Sequence, residues 1–131
     1  MPGYSGTPLP KKLGIKDGFR VVLAGAPAEV RATLRAALQT CGDGHDGLDF
    51  VMLFSKSRVE LTREFSRLAK SLAPAGMLWV SWPKKTSGLA TDLDESVVRG
   101  IGLSAGLVDV KVCAVTEVWS GLKFVRRVKD R

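Results

Sequence analysis

One histidine, one tyrosine and two cysteines are all that the 131 residues contain of these types, and each scarcity removes a class of chemistry. A Ser-His-Asp relay needs an imidazole between its nucleophile and its carboxylate. Only His45 could supply one, from the glycine-rich stretch CGDGHDG at 41–47. Asp43, His45 and Asp46 crowd into that same loop without the spaced partners of a metal site, so they read as loop polarity and no metal is expected. Cys41 and Cys113 have no base beside them, and two thiols in a reducing compartment are expected to be free and structural. The longest apolar runs, 48–54 and 76–82, are strand-sized and fall far below the roughly 18–20 residues of a membrane helix. No membrane partner is expected. The opening MPGYSGTPLPKKLG lacks the continuous apolar core of a secretory signal, which makes the cytoplasm the expected location.

Acid is also in short supply. Thirteen Asp and Glu face twenty Lys and Arg, for a formal charge of +7 and an isoelectric point near 9.8. Such an excess admits a polyanionic partner, because clustered cations displace the condensed counterions of nucleic acid. Two segments carry it: Lys11, Lys12, Lys16 and Arg20 near the start, and Lys123, Arg126, Arg127, Lys129 and Arg131 at the end. Neither has the aromatic-and-glycine pattern of an RNA-binding sheet nor the paired Cys and His of a zinc finger. A solvated basic surface is the plainer reading, and nucleic-acid association is an alternative.

What the chain does contain is an alternation of short apolar runs and helical periods. Residues 1–18 read as an extended N-terminal arm with a turn at Lys16-Asp17-Gly18, and residues 19–131 as one Rossmann-like domain. RVVLAG at 20–25 suits a strand buried on both faces. Pro27 fits the first turn of a helix, followed by Val30, Leu34, Ala37, Leu38 and Cys41 at helical spacing. LDFVMLF is a second strand. Ser57 and Glu60 have capping-box spacing ahead of Leu61, Phe65, Leu68 and Leu72. GMLWVSW is a third strand, and Thr91 or Asp92 can cap a third helix through Val97, Val98, Ile101 and Ala105. Gly100 and Gly102 within it point to close packing on the sheet. Two final strands, VDVKVCAVTEVW and LKFVRRV, are separated only by Ser120-Gly121 and so must be antiparallel. The fold class is α/β: a small three-layer αβα domain with five strands in order 1-2-3-5-4, the last strand antiparallel.

From residue 20 to 128 this layout resembles a shortened class I methyltransferase, a Rossmann-like fold that ends in an antiparallel hairpin. LAPAGMLWVSW resembles the helix end, turn and strand of such enzymes, and AGLVDVKV their last helix-to-strand passage. The resemblance implies a glycine loop after strand one for the cofactor and an acidic residue closing the next strand for its ribose. In AGAPAE the only glycine is Gly25, Pro27 removes a donor, and nothing between the first helix and Leu48 leaves room for two further strands. The usual S-adenosylmethionine motif is absent, and no cofactor is expected. The motifs YSGTPLPKKLGIK, WPKK-SG---DL and VCAV-E-WSGLKFV are similar to those of a short bacterial family of uncharacterised proteins, which implies a bacterial cytoplasmic origin and no particular reaction.

In an open parallel sheet, ligands sit beyond the carboxyl ends of the strands. That rule collects Gly25 after strand one, Ser55, Lys56 and Ser57 after strand two, Trp82, Lys84 and Lys85 after strand three, and Trp119 at the hairpin. Lys84, Lys85 and Lys56, together with a helix N-terminus, could hold a phosphate or carboxylate, Trp82 or Trp119 could face a ring, and Glu117 beside Trp119 could point into the crevice as a lone acid. The arm, with Tyr4, Ser5, Thr7, Lys11 and Lys12, is long enough to close over this rim. Without a recognisable nucleophile and base, the reading is a non-catalytic module that binds an anionic small molecule, of phosphate or nucleotide type, or a protein partner. The alternatives are a nucleic-acid-associated basic protein and an enzyme of unrecognised type on a methyltransferase-like fold.

Overall fold

The apolar runs become the strands of a single mixed sheet in a computed structural model that describes residues 6–131. β1 (Val21–Ala24), β2 (Leu48–Phe54) and β3 (Leu72–Pro83) are parallel, and β5 (Trp119–Arg126) lies antiparallel between β3 and β4 (Leu107–Ala114). The order is β1-β2-β3-β5-β4, as the sequence predicts. α1 (Leu9–Leu13) and α2 (Ala28–Leu38) cover one face of the sheet, α3 (Arg58–Ala69) and α4 (Glu95–Ser104) the other. Among the described residues no helix is long and apolar enough to cross a membrane.

Two helices bury most of the stripe their spacing defines: Val30 and Leu34 from α2, and Leu61, Phe65 and Leu68 from α3; Leu72, expected on the same helix face, instead opens β3, where it pairs with Leu48. Ser57 caps α3, its Oγ accepting the Glu60 amide at 3.3 Å. The cap of α4 is Asp94, whose Oδ1 accepts the Val97 amide at 2.8 Å, in place of the predicted Thr91 or Asp92. Those two side chains are used elsewhere: Thr91 Oγ1 donates to the Lys56 carbonyl at 2.7 Å, and Asp92 Oδ1 accepts the Arg58 amide at 2.7 Å.

Residues 6–18 depart from an extended arm. Residues 9–13 are helical, Leu13 is fully buried, and the buried indole Nε1 of Trp79 donates to the Leu13 carbonyl at 2.9 Å. A buried indole N–H needs a partner, and a helix carbonyl from the arm supplies it. Tyr4 and Ser5 lie outside the described residues.

The hairpin turn also differs. It falls at residues 115–118, where the Val115 amide donates to the Trp119 carbonyl and Thr116 Oγ1 accepts the amides of Val118 and Trp119. Ser120 and Gly121 are inside β5. Gly121 is there because of packing: a Cβ would lie 2.9 Å from Val115 Cγ2 and 3.2 Å from the Trp79 ring. Gly102 is the same case on the other face, where a Cβ would lie 2.0 Å from Phe124 Cε1, whereas one at Gly100 would meet nothing within 4 Å.

That contrast is testable within one helix. Gly102→Ala should destabilise the fold by about 1–3 kcal/mol through overpacking, while Gly100→Ala should stabilise it by up to about 1 kcal/mol through helix propensity. Urea unfolding of the two variants reads both, and equal shifts of the same sign would contradict the packing of α4 on β5.

A second expectation concerns acid stability. Arg99 Nε on α4 donates to Asp109 Oδ2 on β4 at 2.9 Å, and this hydrogen bond holds the Asp109 carboxyl below the ordinary value of 3.8. A depressed folded pKa contributes stability above the unfolded value and loses it as pH falls through the folded one. The stability difference between the native chain and Asp109→Asn should therefore be largest at neutral pH and close below about pH 4. A difference that is constant with pH would contradict it.

Candidate functional site

The predicted anion cradle at the start of α3 is already used by the chain itself. An anion there would take the first amides of the helix, but Asp92 Oδ1 holds the Arg58 amide and Ser57 Oγ the Glu60 amide. Ser55 is buried, its Oγ accepting the Ser57 amide and donating to the Ser57 carbonyl, both at 3.2 Å. Lys56 is exposed beside this turn. Gly25 follows β1 with φ +72°, and a Cβ there would lie 3.1 Å from the Phe54 carbonyl oxygen, so the close neighbour is β2.

The two tryptophans are both core residues. Trp82 packs in the α3–α4 core and Trp119 in the α1–α2 core, where it meets Phe54 edge-on at 5.2 Å. Adjacent in the β3–β5 ladder yet alternating across it, they point to opposite faces, so they do not form one ring-binding surface. Lys85 is exposed and Lys84 half-buried. The Lys84 amide donates to the Val118 carbonyl at 2.8 Å, which ties the segment after β3 to the hairpin turn. From the other side Lys12 reaches the end of β4, its Nζ donating to the Ala114 carbonyl at 2.9 Å, while Lys11 is exposed. The two Pro-Lys-Lys segments thus border the same turn.

Between the first of them and α2 lies a cavity of about 400 Å³, within the range of small-molecule sites. Thr7, Leu9 and Lys12 form one wall, Glu29 and Thr33 of α2 another, and Val115 to Val118 of the hairpin turn the floor. β4 runs parallel to β3, so this turn is at the carboxyl end of the sheet, where the general rule puts ligands. The charge of the cavity differs from that of the whole chain. Two carboxylates, Glu29 and Glu117, and one ammonium, Lys12, line it. It is acidic in a protein of net +7, which suits a ligand bearing cationic groups and one carboxylate better than a phosphate. Of the residues collected from the sequence for this rim, Thr7 and Lys12 of the arm and the lone acid Glu117 line this cavity, and those at the strand ends do not. Glu29 and Thr33 had no signal beyond their places in the first turns of a helix, and the 115–118 floor was hidden by placing the turn at Ser120-Gly121.

No protein-family model matches the chain, and no curated protein does either, so the similarity to short bacterial proteins remains one of motifs. Solved structures do match in fold. An S-adenosylmethionine-dependent methyltransferase from Aquifex aeolicus has a TM-score of 0.65 at 14% identity, with 87% of this chain and 85% of that one covered. The magnesium protoporphyrin IX methyltransferase of Synechocystis, with bound S-adenosylmethionine, has a TM-score of 0.59 at 16% identity over 91% of this chain and 74% of its own. The 1,6-didemethyltoxoflavin-N1-methyltransferase of Burkholderia thailandensis, with bound 1,6-didemethyltoxoflavin and S-adenosylhomocysteine, has a TM-score of 0.59 at 12% identity over 90% of this chain and 74% of its own. The fold is that of these methyltransferases. The expectation of a non-catalytic module is thereby corrected: these three neighbours are named as methyltransferases, and the alternative reading of an enzyme on a methyltransferase-like fold fits better.

The structure also explains the missing motif. β1 is an edge strand of the sheet, bordered only by the Gly42 segment, whose carbonyl accepts the Val21 amide at 2.9 Å. Among the described residues no strand reverses the order beside β1, so the crevice of a full Rossmann sheet is open on one side. The carboxylates that line the rim cavity are Glu29 and Glu117.

The assignment of Asp92 to the α3 terminus can be checked directly. Asp92→Ala should cost about 1 kcal/mol, the usual effect of removing a helix-terminal acceptor, seen as a lower urea midpoint with unchanged slope. An unaltered midpoint would mean that those amides are open to an external anion after all.

Proposed function

We propose that the chain is a small methyltransferase-type domain that takes a sulfonium methyl donor, S-adenosylmethionine, in the cavity between α1, α2 and the 115–118 turn. The observation that carries this reading is the acidic lining of a rim cavity in a basic protein of methyltransferase fold. S-adenosylmethionine brings an electrophilic methyl group on a sulfonium, beside an ammonium and a carboxylate. Glu29 and Glu117 offer carboxylates to the cationic groups, and Lys12, with Thr7 and Thr116 beside it, offers donors to the carboxylate. Leu9, Val115 and Val118 supply the apolar part of the lining and exclude water from one side. The cavity volume and the sign of its charge fit such a molecule, although the usual glycine loop does not recur.

Isothermal titration with S-adenosylhomocysteine and with S-adenosylmethionine tests the reading. Saturable binding is expected for both, weakened about tenfold or more by Glu117→Gln combined with Glu29→Gln, in line with the loss of charge-assisted hydrogen bonds. Both carboxylates are exposed, so the variants should melt like the native chain. No heat of binding at millimolar ligand, or an affinity that the double variant leaves unchanged, would overturn the proposal.

A further inference from the structure

The two basic segments that lie a hundred residues apart in the sequence meet on one face of the sheet. Lys111 of β4 and Lys123 of β5 are direct cross-strand partners, in the row that continues to Trp79 of β3. The row therefore faces the α1 side. Lys111 Nζ donates to the Lys12 carbonyl of α1 at 2.9 Å, and Lys16 follows the same helix. Like charges placed directly opposite in an antiparallel pair are destabilising. Burial first, and then the nearby ammonium groups of Lys111 and Lys16, push Lys123 below the ordinary lysine range. The ion pairs among the described residues join Arg67 to Glu64 and Arg99 to Glu95 and Asp109, so none of them neutralises Lys16, Lys111 or Lys123. A fold keeps such a concentration of one sign at a cost in stability, and an external anion removes that cost.

We propose that this face binds the phosphodiester backbone of nucleic acid, with Lys16, Lys111 and Lys123 as phosphate contacts. The cations, Lys16 and Lys111 exposed and Lys123 half-buried, are spread along the side of the sheet and do not line a common pocket, which matches a chain of phosphates and not a single one. Trp79 of the same row is covered by α1 and fully buried, so no aromatic ring of that row is offered to bases. Recognition is then of the backbone, with little dependence on sequence. The net charge of +7 favours approach of such a partner over long range. This surface is separate from the acidic cavity, and binding to it does not require a methyl donor.

Fluorescence anisotropy of a labelled 20-nucleotide single-stranded RNA and a 20-base-pair duplex DNA, titrated with the full chain without S-adenosylmethionine, is the test. Saturable binding of at least one probe at 50 mM salt is expected. Three phosphate contacts to a single strand give a log–log salt slope near −2, so about a 20-fold loss of affinity at 200 mM. Lys111→Gln with Lys123→Gln should reduce that slope by about 1.4 and weaken binding at least tenfold at 50 mM. Removing one like-charge pair should leave the melting temperature unchanged or higher. Lys16→Gln, a single exposed change, should reduce the slope by about 0.7 and serves should the double variant fail to fold. Arg63→Gln with Lys70→Gln, on α3 across the sheet, should leave affinity within twofold. Inorganic polyphosphate should displace either probe. No binding of either probe at 50 mM, equal affinity of the lysine variants and the native chain, an equal loss from the α3 pair, or failure of polyphosphate to compete would each overturn the proposal. Because no donor is present, these outcomes leave the methyltransferase reading untouched.

Discussion

The buried indole of Trp79 is the constraint on which one whole side of the molecule depends. A tryptophan with no solvent exposure, at the centre of β3, must have its N–H satisfied from within the protein. The Leu13 carbonyl does so. That single bond fastens α1 to the sheet, and Leu13 fills the core beside it. With α1 fastened, Lys12 reaches the end of β4, the Lys12 carbonyl receives Lys111, and the first wall of the cavity stands against α2. The ring also dictates what may lie across from it in β5, since only glycine at 121 leaves room for Trp79 and Val115 together.

The rim of the sheet follows from two further economies. The turn of α3 is closed by the chain's own Asp92 and Ser57, so its positive end is spent on structure. The sheet stops at β1, so the crevice that a reversing strand order would create has only one wall. Both facts move the accessible space toward the hairpin turn, away from the glycine and lysines that the strand ends bring to mind. The space found there is acidic, while the basic charge gathers lower on the β4–β5 face. The two signs of charge are thus segregated on this side of the sheet.

Much of the fold was legible in the chain because period and punctuation act locally. Val30 and Leu34, or Leu61, Phe65 and Leu68, declare a helix face by spacing alone, and Ser57 with Glu60 declares its start. The short connection after β4 requires an antiparallel last strand whatever the turn. The site was far less legible. Ser120-Gly121 has the composition of a turn, yet Gly121 is glycine because of a tryptophan forty-two residues away. Thr91 and Asp92 have the composition of caps for the next helix, yet they bind the preceding one.

Local composition by itself determined that this is an α/β chain, roughly where its strands and longer helices lie, and that its last strand is antiparallel, because hydrophobic period, capping residues and connection length each act over a few residues; the order 1-2-3-5-4 is that of the layout the sequence resembles. It also determined an excess of positive charge. Only the tertiary structure decided that residues 9–13 are a helix docked under Trp79, that Glu29 and Glu117 share a cavity with Lys12, and that Lys16, Lys111 and Lys123 crowd one face. The physical reason is range: each of these juxtapositions joins groups from distant parts of the chain, and burial of the indole with satisfaction of its one N–H is what brings them together.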